Sequence, residues 1–252
     1  MRTPLLFIGH GNPMNAIEDN IFTEGWKNIG EKISTPKAIV CMSAHWLTKG
    51  SFITSTLKPK IIYDFYGFPE KLYHVSYPAS GNPELATKIN SLNPQIDIDK
   101  KWGLDHGSWS FLKRMFPDAN IPVLQLSIDC YSSPSDQFEL MTKLKELREE
   151  GVLFIGSGNI VHNLSMASDN TQPYEWALEF EQQSQKLIEK GDIKSLIDYK
   201  NLGSAAKMSI PTDDHYRPML NTLALKFEDE VPEFFNSGID LSSVSMLSFK
   251  YS

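Results

Sequence analysis

A chain of 252 residues with 41% hydrophobic and 22% charged side chains has the composition of a globular protein, long enough for one large domain or two small ones. Its formal net charge of −7, with no Lys/Arg-rich run, argues against a nucleic-acid surface and against docking on anionic membranes. Only Cys41 and Cys130 are present, each in or beside an apolar run, so both read as buried reduced thiols, and any metal site has to use nitrogen and oxygen donors.

The first strand-like run, residues 5–8, ends in Gly9-His10-Gly11-Asn12-Pro13, where glycine on each side lets the backbone bend sharply around one imidazole. That apolar stretch is too short for a signal segment and no later run reaches membrane-spanning length, so a cytoplasmic location is expected. Residues 21–32 mix apolar and charged side chains at helical spacing. Residues 38–42 read as a buried strand running into Ser43-Ala44-His45-Trp46, and 51–54 as a neighbouring strand. The stretch 63–69 is aromatic and broken by Gly67, hence a loop: either a hydrophobic plug or the wall of a pocket for a flat ligand.

Pro83 opens a helix with Leu85, Ile89 and Leu92 on one face. Asp105-His106-Gly107 leads into a short helix through Met115, and 121–126 form a buried strand. The clearest helix is expected over 135–150, with Phe138, Met141, Leu144 and Leu147 one turn apart and Gly151 as its stop. A third strand, 152–155, precedes Gly156-Ser157-Gly158-Asn159-Ile160-Val161-His162-Asn163. Residues 176–190 are helical up to Gly191, and 193–207 look like a polar excursion without readable chemistry. Thr212, Asp213 or Asp214 is a candidate cap for a helix through Met219, Leu220, Leu223 and Leu225, and Val244, Met246 and Phe249 mark a closing strand. Strands alternate with helices without repeat, linker or low-complexity tract, so residues 1–252 are expected to form one α/β domain.

There are six histidines. A lone histidine is more often a satisfied structural residue than a ligand, but His10, His45 and His162 each follow a strand-like run, and His106 and His215 precede helices in Gly- or Asp-flanked loops. In open α/β sheets ligands gather at the carboxyl ends of strands, which would bring these rings to one crevice. Neutral imidazoles buried together without a cation or hydrogen-bond partners are costly, so a metal accounts for their convergence. His74 has neither a glycine nor a strand end beside it and reads as structural or surface. No H-E-x-x-H, C-x-x-C, Walker A or G-x-S-x-G pattern is present, and a dinucleotide fingerprint at Gly156-x-Gly158 fails at Val161. Imidazole and carboxylate donors suit Zn, Fe(II), Mn or Co, and spacing does not choose among them.

The set GHGNPMN (9–15), SAHW (43–46), DFYGFP (64–69), LDHGSW (104–109), GSGNIVHN (156–163) and DHYRP (214–218) resembles the class III extradiol ring-cleavage dioxygenases, and within them the 4,5-DOPA extradiol dioxygenase subgroup. Asn12 stands where that subgroup usually carries serine. The resemblance implies a single-domain three-layer α/β sandwich with a mostly parallel or mixed central sheet flanked by helices. It further implies one mononuclear non-haem iron: His10, His45 and His215 match the ligands, and His162 matches the acid/base catalyst, sometimes counted as a further ligand. His106 matches a supporting histidine of the pocket, and Tyr66 and Phe68 are candidate walls for the substrate ring. The expected substrates are a small aromatic diol and O2, the product a semialdehyde, with Fe(II) needed for activity and Zn able to fill the site on purification. Three protein ligands leave three positions open, two for the diol oxygens and one for O2. A zinc hydrolase and a non-catalytic metal-binding protein are the rival readings, and the second is disfavoured by the presence of both His106 and His162.

Overall fold

The computed structural model describes residues 2–168 and 172–252. Six strands form the central sheet, in the order Val123–Gln125, Ala38–Ser43, Val152–Gly158, Leu5–Gly9, Ser248–Tyr251 and Pro232–Asn236. The first four run parallel; the last two are antiparallel additions at one edge. Leu5–Gly9, Ala38–Ser43 and Val152–Gly158 are buried at every position, as continuous apolar runs are when helices cover both faces of a parallel sheet.

Alternation along these strands divides the core. Leu5, Phe7, Val40 and Met42 face one cluster, which is closed by Leu85 and Ile89, Met141, Phe180, and Met219 and Leu220 from helices Pro83–Leu92, Pro134–Thr142, Glu175–Lys190 and Arg217–Leu223. Leu6, Ile8, Ile39 and Cys41 face the other, closed by Trp26, Ile29, Phe111 and Leu112 from helices Ile21–Lys32 and His106–Met115. The result is the expected three-layer arrangement. Helix Ile21–Lys32 starts at a capping box, with the Asn20 side chain accepting from the backbone of Phe22 and Thr23 and the Thr23 hydroxyl accepting from the Asn20 backbone. No helix among the described residues is long and apolar enough to cross a membrane.

Several expectations are corrected. The helix expected over 135–150 ends at Thr142, and Lys145–Arg148 is a tighter 3₁₀ turn. Apolar residues three apart fit either geometry, and the tightening lets the buried Arg148 guanidinium reach Glu230 and the carbonyls of Thr3 (2.9 Å) and Leu225 (2.8 Å). Cys130 is exposed, because the apolar run stops at Ile128 and the chain turns there. The excursion 193–207 contains two short helices, Ile193–Ile197 and Ser204–Ser209, that bury Leu196, Ala205 and Ala206. The closing strand is two pieces, Val244–Ser245 and Ser248–Tyr251. The connecting residues cross Gly9 so closely that a Cβ there would lie 2.7 Å from the Met246 carbonyl carbon.

Candidate metal centre

The three strands that precede histidines are neighbours. Gly9 pairs with Gly158 and Ser43 with Ser157, so their carboxyl ends finish level with one another. His10 leaves the first end with its backbone N–H donating to the Gly158 carbonyl (3.1 Å), and its ring is buried. His45 follows two residues after Ser43, whose hydroxyl accepts from the His45 backbone N–H (3.2 Å). His162 emerges beyond the third strand. His215 lies against that strand at Gly158: a Cβ there would stand 2.1 Å from the His215 carbonyl oxygen, which accepts from the Asn159 N–H (2.9 Å). Glycine is therefore what allows the two backbones to approach.

Hydrogen bonds fix what two of the rings present. The Ser157 hydroxyl donates to the Gly107 carbonyl, so it can only accept from His10 Nδ1 (2.9 Å), which leaves His10 Nε2 as a bare lone pair. His215 Nδ1 lies 2.5 Å from Asp214 Oδ2, and a neutral ring that donates there presents Nε2 as a lone pair, whereas His45 Nδ1 lies 3.3 Å from Asp64 Oδ2 without a hydrogen bond to it. His106 Nδ1 stands 3.0 Å from Asp64 Oδ1, the same oxygen that accepts from the His106 backbone N–H (2.9 Å). Behind these, the buried Asp105 carboxylate accepts from Ser43 (2.7 Å) and Gln125 (2.8 Å), anchoring the start of the His106 helix.

His10 Nε2 and His45 Nε2 face each other at 3.2 Å. Two nitrogens each about 2.1 Å from one ion span roughly this distance. The donor set thus fits a divalent cation. His10, His45 and His106 offer nitrogens within 4.8 Å of one another, and His162, Asp214 and His215 form a second group within the same limit. The expected ligands His10, His45 and His215 fall across these two groups; the His215 ring lies 5.4 Å from that of His10 and 5.0 Å from that of His45. His162 stacks on His215, with ring centroids 3.5 Å apart and planes 10° from parallel.

All five rings line one cavity of about 260 Å³, together with Gly11, Asn12, Pro13, Asp64, Phe65, Phe68, Leu164, Leu241 and Val244. Phe68 stands where the sequence suggested a wall. Tyr66 does not: its side chain is 91% exposed, and Phe65 takes the inward position because the loop turns at Gly67 (φ 77°). His74 lies outside the cavity on the surface, 3.5 Å from Glu70. Asp64 and Asp214 are the functional residues that sequence reasoning missed. Asp64 lies in the DFYGFP motif with no role assigned from sequence, and Asp214 is one of three candidate caps, whereas helix Arg217–Leu223 has no side-chain cap and Asp213 pairs with Arg217 (3.0 Å). The usable signal was chemical: each metal-facing imidazole needs an acceptor for its other nitrogen.

The Asp64 carboxylate lies 3.3 Å from His45 Nδ1 and 3.0 Å from His106 Nδ1, and accepts from the His106 backbone N–H. Asp64→Asn keeps its shape but removes the charge, and metal affinity is expected to fall about 10- to 100-fold in a chelator competition, the range for such supporting groups. An unchanged affinity would show that Asp64 does not set the rings.

Burial, reinforced by the neighbouring imidazoles, holds His10 and His45 well below the ordinary histidine pKa. Burial likewise brings His162 down to about 3, with His215 adding to the shift and Asp214 opposing it. In the metal-free protein these rings stay neutral while the unfolded chain takes up protons below about pH 6.5. Stability is therefore full above that pH and falls below it, by about 1.4 kcal/mol per pH unit for His162 until its folded value of about 3, with His10 and His45 acting in the same direction. Chemical denaturation of the metal-free protein between pH 7.5 and 4.5 checks this; a flat profile would contradict it.

The chain matches the family described as the catalytic LigB subunit of aromatic ring-opening dioxygenase over residues 4–246. It is similar to the 4,5-DOPA dioxygenase extradiol of Escherichia coli (strain K12), at 42% identity over 98% of this chain and 94% of that one. It is also similar to the protein of the same name from Beta vulgaris, at 35% identity over 97% and 95% of the two chains. A crystal structure of an uncharacterised Escherichia coli K12 protein shares the fold with a TM-score of 0.85 and 37% identity, each chain covered completely. With its strand-end histidines gathered in one cavity and this likeness along its whole length, the chain belongs to the LigB family of aromatic ring-opening dioxygenases.

Proposed function

We propose that this dioxygenase opens a catechol ring with O2 at one Fe(II) ion held by His10, His45 and His215, giving a semialdehyde. The observation that carries the reading is the pair of Nε2 atoms of His10 and His45 facing each other at 3.2 Å, beyond the carboxyl ends of two strands that flank Val152–Gly158. When bound, the ion supplies positions for both diol oxygens and for O2 and a route for electron density between them.

The chain does the rest. His162, neutral near pH 7, takes a proton from one catechol hydroxyl on an imidazole nitrogen and returns it to an oxygen of the opening product. His106, whose Nδ1 lies 3.0 Å from Asp64 Oδ1, lines the same cavity and hydrogen-bonds a catechol hydroxyl. Phe65 and Phe68 provide an aromatic wall, and Leu164, Leu241 and Val244 keep water from the ring. Overall, the bond between a hydroxyl-bearing carbon and its outer neighbour breaks, both atoms of O2 enter the product, and an acid and an aldehyde result. The similar proteins carry DOPA in their names, so DOPA belongs in the substrate panel.

The test is anaerobic loading with Fe(II) followed by oxygen-electrode measurements on a set of catechols. The expected result is one O2 consumed per catechol, with a yellow product, and no uptake by the zinc-loaded protein. Absence of uptake with every catechol, together with ester or amide hydrolysis by the zinc form, would replace the reading with a zinc hydrolase.

A further inference from the structure

The loop that follows the first strand brings the cavity a polar group that the ring-opening reading leaves unused. Gly11, Asn12 and Pro13 line the cavity, and apart from the five histidines and Asp64, Asn12 is the one polar side chain lining it among the described residues. Half of its amide is already committed. Asn12 opens the 3₁₀ turn Pro13–Ala16: its Oδ1 accepts from the Met14 N–H (2.9 Å) and its carbonyl from the Asn15 N–H (3.0 Å). An amide atom that faces an N–H has to be the oxygen, so the orientation of this amide is set. What remains is Nδ2, which has no partner among the described residues.

The loop holds this donor still. The Asn15 side chain donates to the His10 carbonyl (3.1 Å), and Arg114 donates from Nε to the Asn15 carbonyl (2.9 Å) and from Nη2 to the Glu18 carbonyl (2.8 Å). Pro13 fixes the backbone just beyond Asn12. A donor so fixed loses little freedom on meeting a ligand. Burial gives its depth: His10, His106 and His215 are 2%, 5% and 7% exposed, whereas Asn12 is half-buried. A catechol whose diol lies among the buried imidazole nitrogens directs its ring substituent toward less buried groups, and Asn12 is one of them.

The amide distinguishes the two charged ends of an amino-acid substituent. With Oδ1 turned back onto Met14, its free end donates and does not accept, so it suits a carboxylate oxygen and not an ammonium. Hydrogen bonds to an ionised acceptor are also the stronger kind. We infer that Asn12 is a substrate-binding residue whose amide donates to a carboxylate on the ring substituent of the catechol. The inference rests on the catechol reading above and assigns a residue that the ring-opening chemistry does not need.

The test measures Kd anaerobically on the Fe(II)-loaded protein for dihydroxyphenylpropionate, dihydroxyphenethylamine and propylcatechol, which share the diol and differ at the end of the substituent. Asn12→Leu, close in size but without a donor, is expected to weaken the propionate about tenfold and to move propylcatechol by less than about twofold. Asn12→Asp keeps an oxygen for the Met14 N–H and sets a second one where the donor was. It is expected to weaken the propionate further and to tighten the phenethylamine, a reversal that damage to the loop cannot mimic. An unchanged propionate Kd in Asn12→Leu overturns the inference even if Asn12→Asp responds, because charge alone would then account for the pattern. Equal weakening of all the catechols in Asn12→Leu overturns it too, since that marks a loop that has lost its turn. The expected Kd pattern without oxygen uptake upholds the inference and removes the ring-opening reading instead. A parent protein that binds none of the catechols overturns both.

Discussion

Alanine at His10 or His45 is expected to leave a folded protein that no longer retains its metal through dialysis. Each ring gives a single nitrogen, and the two nitrogens point at each other across 3.2 Å. A four-ligand structural zinc site gains about 10–16 kcal/mol, or roughly 3–4 kcal/mol per ligand, so loss of one imidazole should weaken binding about 10²- to 10³-fold. His215→Ala is expected to behave as His10→Ala does, and His106→Ala to keep the ion. Elemental analysis after dialysis, with a chelator competition for each variant, decides the set. If His106→Ala empties the site while His215→Ala holds metal, the ion belongs to the His10, His45 and His106 group, and His215 only orients His162.

The sheet and the meeting of the rings were both legible in the residues, for one shared reason. A parallel strand covered on both faces is apolar without interruption, so 5–8, 38–42 and 152–155 stood out, and an imidazole just past such a run has little choice of direction. Strand order was hidden, yet it is the fact that matters: Val152–Gly158 lies between Leu5–Gly9 and Ala38–Ser43, which makes three distant segments immediate neighbours. Asp64 was hidden for the opposite reason. It sits in a loop with no period to read, and its value comes only from where His45 and His106 fall around it. The same irregularity put Tyr66 outside and Phe65 inside, a choice set by the turn at Gly67 that no alternation rule covers. Asp214 was misread because an acidic residue ahead of a helix suits a cap as well as an imidazole acceptor. Only the 2.5 Å contact to His215 separates the two uses. For the helix that stops at Thr142, spacing by threes was satisfied by two kinds of turn, and the buried pairing of Arg148 with Glu230 marks the outcome.

His162→Ala should separate metal binding from chemistry: full metal content, with kcat lowered about 10²- to 10⁴-fold, the usual contribution of a positioned general acid–base group. His162 faces the same cavity as the other four rings but stacks flat on His215 at 3.5 Å, a geometry that turns a ring face, not a nitrogen, toward its neighbour. Burial first, and then His215, hold it neutral at working pH, so it meets a catechol hydroxyl as a base; a ring already protonated could not. Ring opening requires a proton to leave the diol and one to reach oxygen, and a nearby imidazole can do both without water entering. Asparagine at this position fills similar space and makes hydrogen bonds but cannot carry a proton at neutral pH, so His162→Asn should lose kcat as alanine does while restoring most of any loss in KM. Metal loss in His162→Ala would make the residue a ligand and hand the proton transfer to His106, whose replacement would then carry the kcat effect.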